Sequence, residues 1–270
     1  MNLRSKLRAP SNRRVHLDRV DPDSTPGIRG DKTAAQPALV KNLERLRELQ
    51  YRMYAENRRA LLVVLQAMDG GGKDGTIRSV SSGLNPQGCL VTPFKVPSDE
   101  ERDHDFLWRV HRAVPPRGDI GIFNRSHYED VLVVRVQELV PEAIWSPRYE
   151  QINTFEKILA ANDVVIIKFF LHISKAEQLE RLKARIDDPN KHWKISSSDF
   201  SERKFWESYQ TAYEDAISKC NTEWAPWYVI PANKKWYRNW AVSQILVETL
   251  EELDMKFPKA SIDVSKIRVR

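Results

Sequence analysis

Residues 60–78, ALLVVLQAMDGGGKDGTIR, narrow what this chain can fold into more than any other stretch. An apolar run over 61–65 stops at Gln66. A glycine-rich turn follows, Asp69-Gly70-Gly71-Gly72-Lys73-Asp74-Gly75, and helical sequence is expected from Thr76. Buried strand, glycine turn and helix, in that order, bring free backbone N–H groups and a helix N-terminus together where they cradle a phosphate. Gly70, Gly71, Gly72, Gly75 and Thr76 are the expected phosphate-binding positions, and Lys73 would reach over them toward the more distal phosphates. The familiar pattern is G-x-x-x-x-G-K-[ST]. This segment departs from it twice, with Ala67 at the first glycine and Asp74 in place of the hydroxyl that usually touches Mg²⁺. A tight structural turn would use the same residues, so the rest of the chain has to decide.

The remaining pattern is that of an α/β protein. Residues 1–37 are polar and punctuated by Pro10, Pro22, Pro26, Gly27 and Gly30, and are expected to form a basic arm on the surface. Leu39, Leu43, Leu46, Leu49 and Met53 then recur at helical spacing. Strands are expected over 90–96, where Pro93 suits an edge, and over 119–123, 163–173 and 226–231. Ser98 with Glu101 is a capping box that predicts a helix through about residue 113. Pro141 opens another helical stretch in which Tyr149, Ile152, Phe155 and Leu159 share a face, and a last helix spans about 235–253. Between 174 and 220 the chain adds helix and no strand, which predicts a helical lid over bound phosphates. Strands alternating with helices indicate a parallel sheet with right-handed crossovers. The expected architecture is therefore a single P-loop kinase-like domain over 38–270, a parallel sheet flanked by helices, with the lid inserted.

Charge and cysteine content limit the partners. A net charge of +6 favours an anionic ligand. Cys89 and Cys220 form no C-x-x-C and no disulfide framework, no apolar run approaches the ~20 residues of a membrane span, and the basic N-terminus lacks a signal-peptide core. A cytoplasmic protein with no membrane partner is expected. Nucleic acid is not favoured, because aromatics are not interleaved with basic residues as in a stacking platform.

Phosphoryl transfer needs a metal, fixed cations and in-line positioning. Asp69 in the turn and Asp130 after the third strand are the candidate metal ligands, since Mg²⁺ takes few carboxylates beside waters and substrate oxygens. Asp74 would hold Lys73 or replace the missing hydroxyl. In the cluster Asn124-Arg125-Ser126-His127-Tyr128-Glu129-Asp130, Arg125 is suited to clamp a phosphate. Glu129 would influence an acceptor or a second metal, and His127 is more readily a structural histidine than a general base. In the expected lid, Arg181 and Arg185 share a helix face, with Lys191 and Lys194 just beyond them.

The stretches AMDGGGKDGTIR, GIFNRSHYEDVLVVRV, RIDDPNKHWK and EWAPWYVIPANKKWYRNW closely resemble the polyphosphate kinase 2 family, and NRSHYED is similar to its class III branch. The resemblance runs from about residue 20 to 253. It implies reversible transfer of a phosphoryl group from inorganic polyphosphate to AMP or ADP. The implied cofactor is Mg²⁺, or Mn²⁺ in its place, and the implied assembly a homo-oligomer, dimer or tetramer. By resemblance, the Walker A role falls on Asp69, Lys73 and Asp74, and the Walker B role on Asn124, Arg125, Glu129 and Asp130. The basic role of the lid falls on Arg185, Lys191 and Lys194. Two other readings stay open on the residues alone: a nucleoside monophosphate kinase that uses ATP as donor, and a non-catalytic module that binds polyanions.

Overall fold

Seven consecutive buried residues make up β1 (Ala60–Gln66), the pattern of a strand covered on both faces. The computed structural model describes residues 2–11, 13–195 and 200–263, apart from the side chain of Lys194. Around β1 it sets β2 (Cys89–Pro93), β3 (Ile120–Asn124), β4 (Val164–His172) and β5 (Trp227–Pro231). All pairings are parallel and the order is β2-β3-β1-β4-β5. The chain leaves the central strand for β2 and β3 on one side, then crosses to β4 and β5 on the other. The carboxyl end of β1 is thus the switch point at which open α/β sheets bind ligands. Edge strand β2 ends on Pro93, where a missing N–H does no harm.

The longer helices are α1 (Lys32–Glu56), α2 (Lys73–Ser81), α3 (Arg148–Ala161), α4 (Lys175–Ile186), α5 (Trp206–Lys219) and α6 (Lys235–Glu252). α1 packs along α6, which also meets α2, while α3 packs on β4. The helix expected over 98–113 is two short ones, Asp99–Arg102 and Trp108–Arg112. The Ser98/Glu101 capping box is present. The interruption is a local turn in which the Asp105 carboxylate accepts the N–H of Leu107 at 2.9 Å.

The arm is shorter and more deeply held than its composition suggests. α1 already opens at Lys32, capped by Asp31, and carries Pro37 inside it. Ahead of α1, Leu3, Leu7, Ala9, Val15 and Leu17 are buried in the main core. The N–H groups of Leu3 and Arg4 donate to the two carboxylate oxygens of Glu248, each at 3.0 Å. Arg8 bridges Tyr228 in antiparallel fashion, and the N–H of Ala9 donates to the carbonyl of Trp227 at 2.9 Å. The segment thereby covers the edge of β5 and leaves fewer of its backbone groups open to another strand.

Both legs of the expected lid are anchored to the body. On α5, Ala212, Tyr213, Ala216 and Ile217 are buried, and the Tyr213 hydroxyl donates to the carbonyl of Ala67 at 3.0 Å. On α4, Gln178 and Leu182 are buried, and Gln178 donates to the carbonyl of Asp69 at 2.8 Å.

Candidate active site

The turn after β1 folds as it does because three glycines leave room for it. Gly70 and Gly72 have φ of +79° and +97°. A Cβ on Gly72 would also lie 1.9 Å from Nη1 of Arg238, and one on Gly71 would lie 2.4 Å from the Cβ of Ala67. Helix α2 then begins at Lys73 itself, three residues earlier than the sequence suggests. The first turn of a helix has N–H groups without intrahelical acceptors, and Gly72, Lys73, Asp74 and Gly75 line a cleft of about 700 Å³. Thr76 is buried instead, and its hydroxyl donates back to the carbonyl of Gly72 at 3.2 Å.

Two side-chain bonds tie this turn and the start of α2 to the end of β3 and the residue after it. Arg125 Nη2 donates to Asp69 at 3.1 Å, and the Asn124 amide donates to Asp74 at 2.8 Å. Arg125 has φ of +63°, and its N–H is held by the carbonyl of Leu65. Lys73 Nζ donates to the carbonyl of Ala67 at 3.0 Å. Burial and the Arg125 cation lower the Lys73 pKa, against Asp69, Glu129 and Asp74. Partial desolvation opposes the Arg125 cation, and the charges of Glu129 and Asp69 more than offset it, raising its pKa.

The wall formed by α4 and α6 is cationic. Arg181 faces the cleft, but its guanidinium is a strut: Nη1 holds the carbonyl of Gly70 at 2.9 Å, Nη2 those of Ala232 and Asn233, and Nε the carboxylate of Glu177. Arg185 and Lys191 line the cleft, with Lys191 paired to Asp188 at 2.5 Å. The side chain of Lys194 lies outside the described residues.

Four further cations line the cleft that sequence reasoning missed: Arg78, Lys95, Lys235 and Arg238. Burial and Arg181 bring the Arg238 guanidinium down to about 10, and burial with the same neighbour lowers Lys235. Lys235 and Arg238 sit in the first helical turn after β5, at the carboxyl end of a strand, and that position was the available signal. Nine of the described lining residues are lysine or arginine, and two, Asp69 and Asp74, are acidic.

The expected carboxylate pair of Asp69 and Asp130 needs correction. Asp130 does not line the cleft; Arg148 Nη1 donates to its carboxylate at 3.0 Å and to its carbonyl at 3.2 Å. Burial pushes this carboxyl up to about 6, with Arg148 and Arg109 only partly opposing. Glu129 acts on Lys73, Arg125 and Asp130 through its charge and does not line the cleft. His127 is buried with Nε2 3.1 Å from Glu156 Oε1, a structural placement.

The family model for polyphosphate kinase 2 matches residues 29–258. The chain belongs to the polyphosphate kinase 2 family. It is 55% identical over 262 residues to the AMP/ADP-polyphosphate phosphotransferase of Meiothermus ruber, covering 97% of this chain and 98% of that one. It is 49% identical to the ADP-polyphosphate phosphotransferase of Rhodopseudomonas palustris, over 83% and 81% of the two chains. The crystal structure of polyphosphate kinase 2 from Arthrobacter aurescens TC1 superposes with a TM-score of 0.95 at 46% identity, over 98% of this chain and 94% of that one. The P-loop kinase-like parallel sheet is thus common to this chain and a solved polyphosphate kinase 2.

Proposed function

We propose that this protein moves phosphoryl groups reversibly between inorganic polyphosphate and AMP or ADP, as the class III resemblance implies. The observation that carries the reading is the cleft, where nine cations and two carboxylates converge on a phosphate-binding turn. Such a lining suits a donor that is phosphate along its whole length. The Meiothermus ruber relative, an AMP/ADP-polyphosphate phosphotransferase, supports the choice of acceptor.

In the forward step, an acceptor phosphate oxygen forms a bond to the terminal phosphorus of the chain. The bridging P–O bond breaks, and the chain leaves one phosphate shorter. Lys73 and Arg125 hold the oxygens of the phosphoryl group in transit with preorganised cations. The α2 N-terminus and its glycine turn fix the group in line, and Asp69 orients Arg125.

Asp69 and Asp74 are hard oxygen donors on one cleft wall, and one or two carboxylates beside substrate oxygens suit Mg²⁺. Mg²⁺ held there would supply neutralisation of the phosphate oxygens. Asp130, paired with Arg148, has a supporting part.

The test is incubation of the purified protein with AMP, Mg²⁺ and polyphosphate in the absence of any nucleoside triphosphate. ADP and then ATP are expected. Folded protein that yields neither, yet phosphorylates AMP from ATP, would make it an ordinary nucleoside monophosphate kinase.

A further inference from the structure

Beneath the segment that carries Asn124 and Arg125 lies a buried polar knot that none of the steps above uses. Lys168, in the middle of β4, and Glu156, on α3, are both fully buried. Lys168 Nζ donates to the Tyr128 hydroxyl at 2.7 Å, to Glu156 Oε2 at 2.5 Å and to the carbonyl of Cys220 at 2.7 Å, which uses all three of its hydrogens. The Tyr128 hydroxyl in turn donates to Glu156 Oε1 at 3.0 Å, the oxygen that His127 Nε2 approaches at 3.1 Å. Burial lowers the His127 pKa against the pull of Glu156, and its Nδ1 is buried without a hydrogen-bond partner. The ring is therefore neutral and donates through Nε2.

An ion pair sealed from water is a poor way to gain stability, since apolar residues of similar volume do as well or better. What it does supply is a fixed geometry, and the sequence places that geometry to effect. His127 and Tyr128 open a single 3₁₀ turn, His127–Val131. Arg125 stands two residues before His127, and Glu129 directly follows Tyr128. The knot joins β4, α3, this turn and the end of α5 at one point. Arg125 needs such a hold, because φ of +63° is unfavourable for a side chain of its size and persists only where the surroundings impose it.

We propose that Tyr128, Glu156 and Lys168, with His127, are positioning residues for phosphoryl transfer that set the reach of Arg125 into the cleft. This rests on the polyphosphate reading above. A displacement of about 1 Å at a clamp of this kind lowers turnover by ~10²-fold.

The test is a kinetic cycle on the full-length protein with polyphosphate and AMP, using Tyr128→Phe, Arg125→Lys and the double variant. Tyr128→Phe keeps the ring and removes the hydroxyl that bridges Glu156 and Lys168. It should lower kcat by about 10- to 100-fold with little change in the KM for AMP. The loss from Arg125→Lys should shrink by most of that factor in the Tyr128→Phe background, because the two act through one contact. Wild-type kcat in Tyr128→Phe, or losses that multiply in the double variant, would overturn the proposal.

If Tyr128→Phe fails to fold by circular dichroism, His127→Gln and His127→Leu take its place. Glutamine carries a donor near the position of Nε2 and should keep kcat, whereas leucine should lose it; equal kcat in the two overturns the proposal. Wild-type protein that is inactive with polyphosphate and AMP removes the functional reading itself, and the positioning role falls with it.

Discussion

Replacing Asp130 by asparagine should convert a buried carboxylate into a measurable pH slope. The side chain is 16% exposed and paired with Arg148 at 3.0 Å. Burial nonetheless dominates, and its pKa rises from 3.8 to about 6, with Glu129 adding to the rise. The folded protein therefore binds a proton between those two values that the unfolded chain does not. By linkage, this group adds stability as the pH falls through 6 and removes it as the pH rises. A shift of about two units corresponds to about 3 kcal/mol over the full span.

Asparagine keeps the shape and does not titrate. The unfolding free energy of the wild type minus that of Asp130→Asn should accordingly fall by up to about 3 kcal/mol from pH 4 to pH 7. Urea unfolding followed by tryptophan fluorescence at closely spaced pH values measures it, and other titrating groups cancel in the difference. A flat difference would refute the reasoning. A difference that grows with pH would mean that the Arg148 ion pair outweighs burial and holds the carboxyl low.

Three further outcomes are expected. Lys73→Met should cost at least about 10²-fold in turnover with polyphosphate and AMP. Its thermal midpoint should stay level or rise, because burial and Arg125 disfavour the lysine cation; activity close to wild type would remove Lys73 from the chemistry. Gly72→Ala combines a φ of +97° with a Cβ 1.9 Å from Nη1 of Arg238, and should lose about 1–3 kcal/mol in urea unfolding. Arg238→Ala in the same background should recover the part due to the clash. Asp69→Asn should raise the Mg²⁺ concentration needed for half-maximal turnover while leaving the far-ultraviolet circular dichroism spectrum unchanged. An unaltered Mg²⁺ dependence would mean that this carboxylate serves only to orient Arg125.

The central strand and its turn were legible because each rests on local rules. Six apolar positions in a row, Ala60 to Leu65, demand cover on both faces, and glycines at positive φ mark where the chain turns under a phosphate. Pro93 marked an edge for an equally local reason. What was missed depends on partners distant in sequence. Asp130 sits beside Arg125 and Glu129 in the chain, but the arginine that takes its carboxylate is Arg148, 18 residues on. Lys235 and Arg238 lie among Trp236, Tyr237 and Trp240, whose aromatic bulk makes the helix read as core alone. The leucines of the amino-terminal segment follow no single period, since they fill places offered by β5 and α6 and belong to no long amphipathic element of their own.

That amino-terminal segment also sets an order of events during synthesis. Leu3 and Arg4 are bonded to Glu248, residues 245 and 244 positions later in the chain. At about 5–20 residues per second, on the order of ten seconds or more separates their emergence from the ribosome and that of their partner. Leu3 and Arg4 therefore gain this anchor only after α6 has been made. Until α6 is available, the segment lacks the carboxylate that anchors it beside the edge of β5.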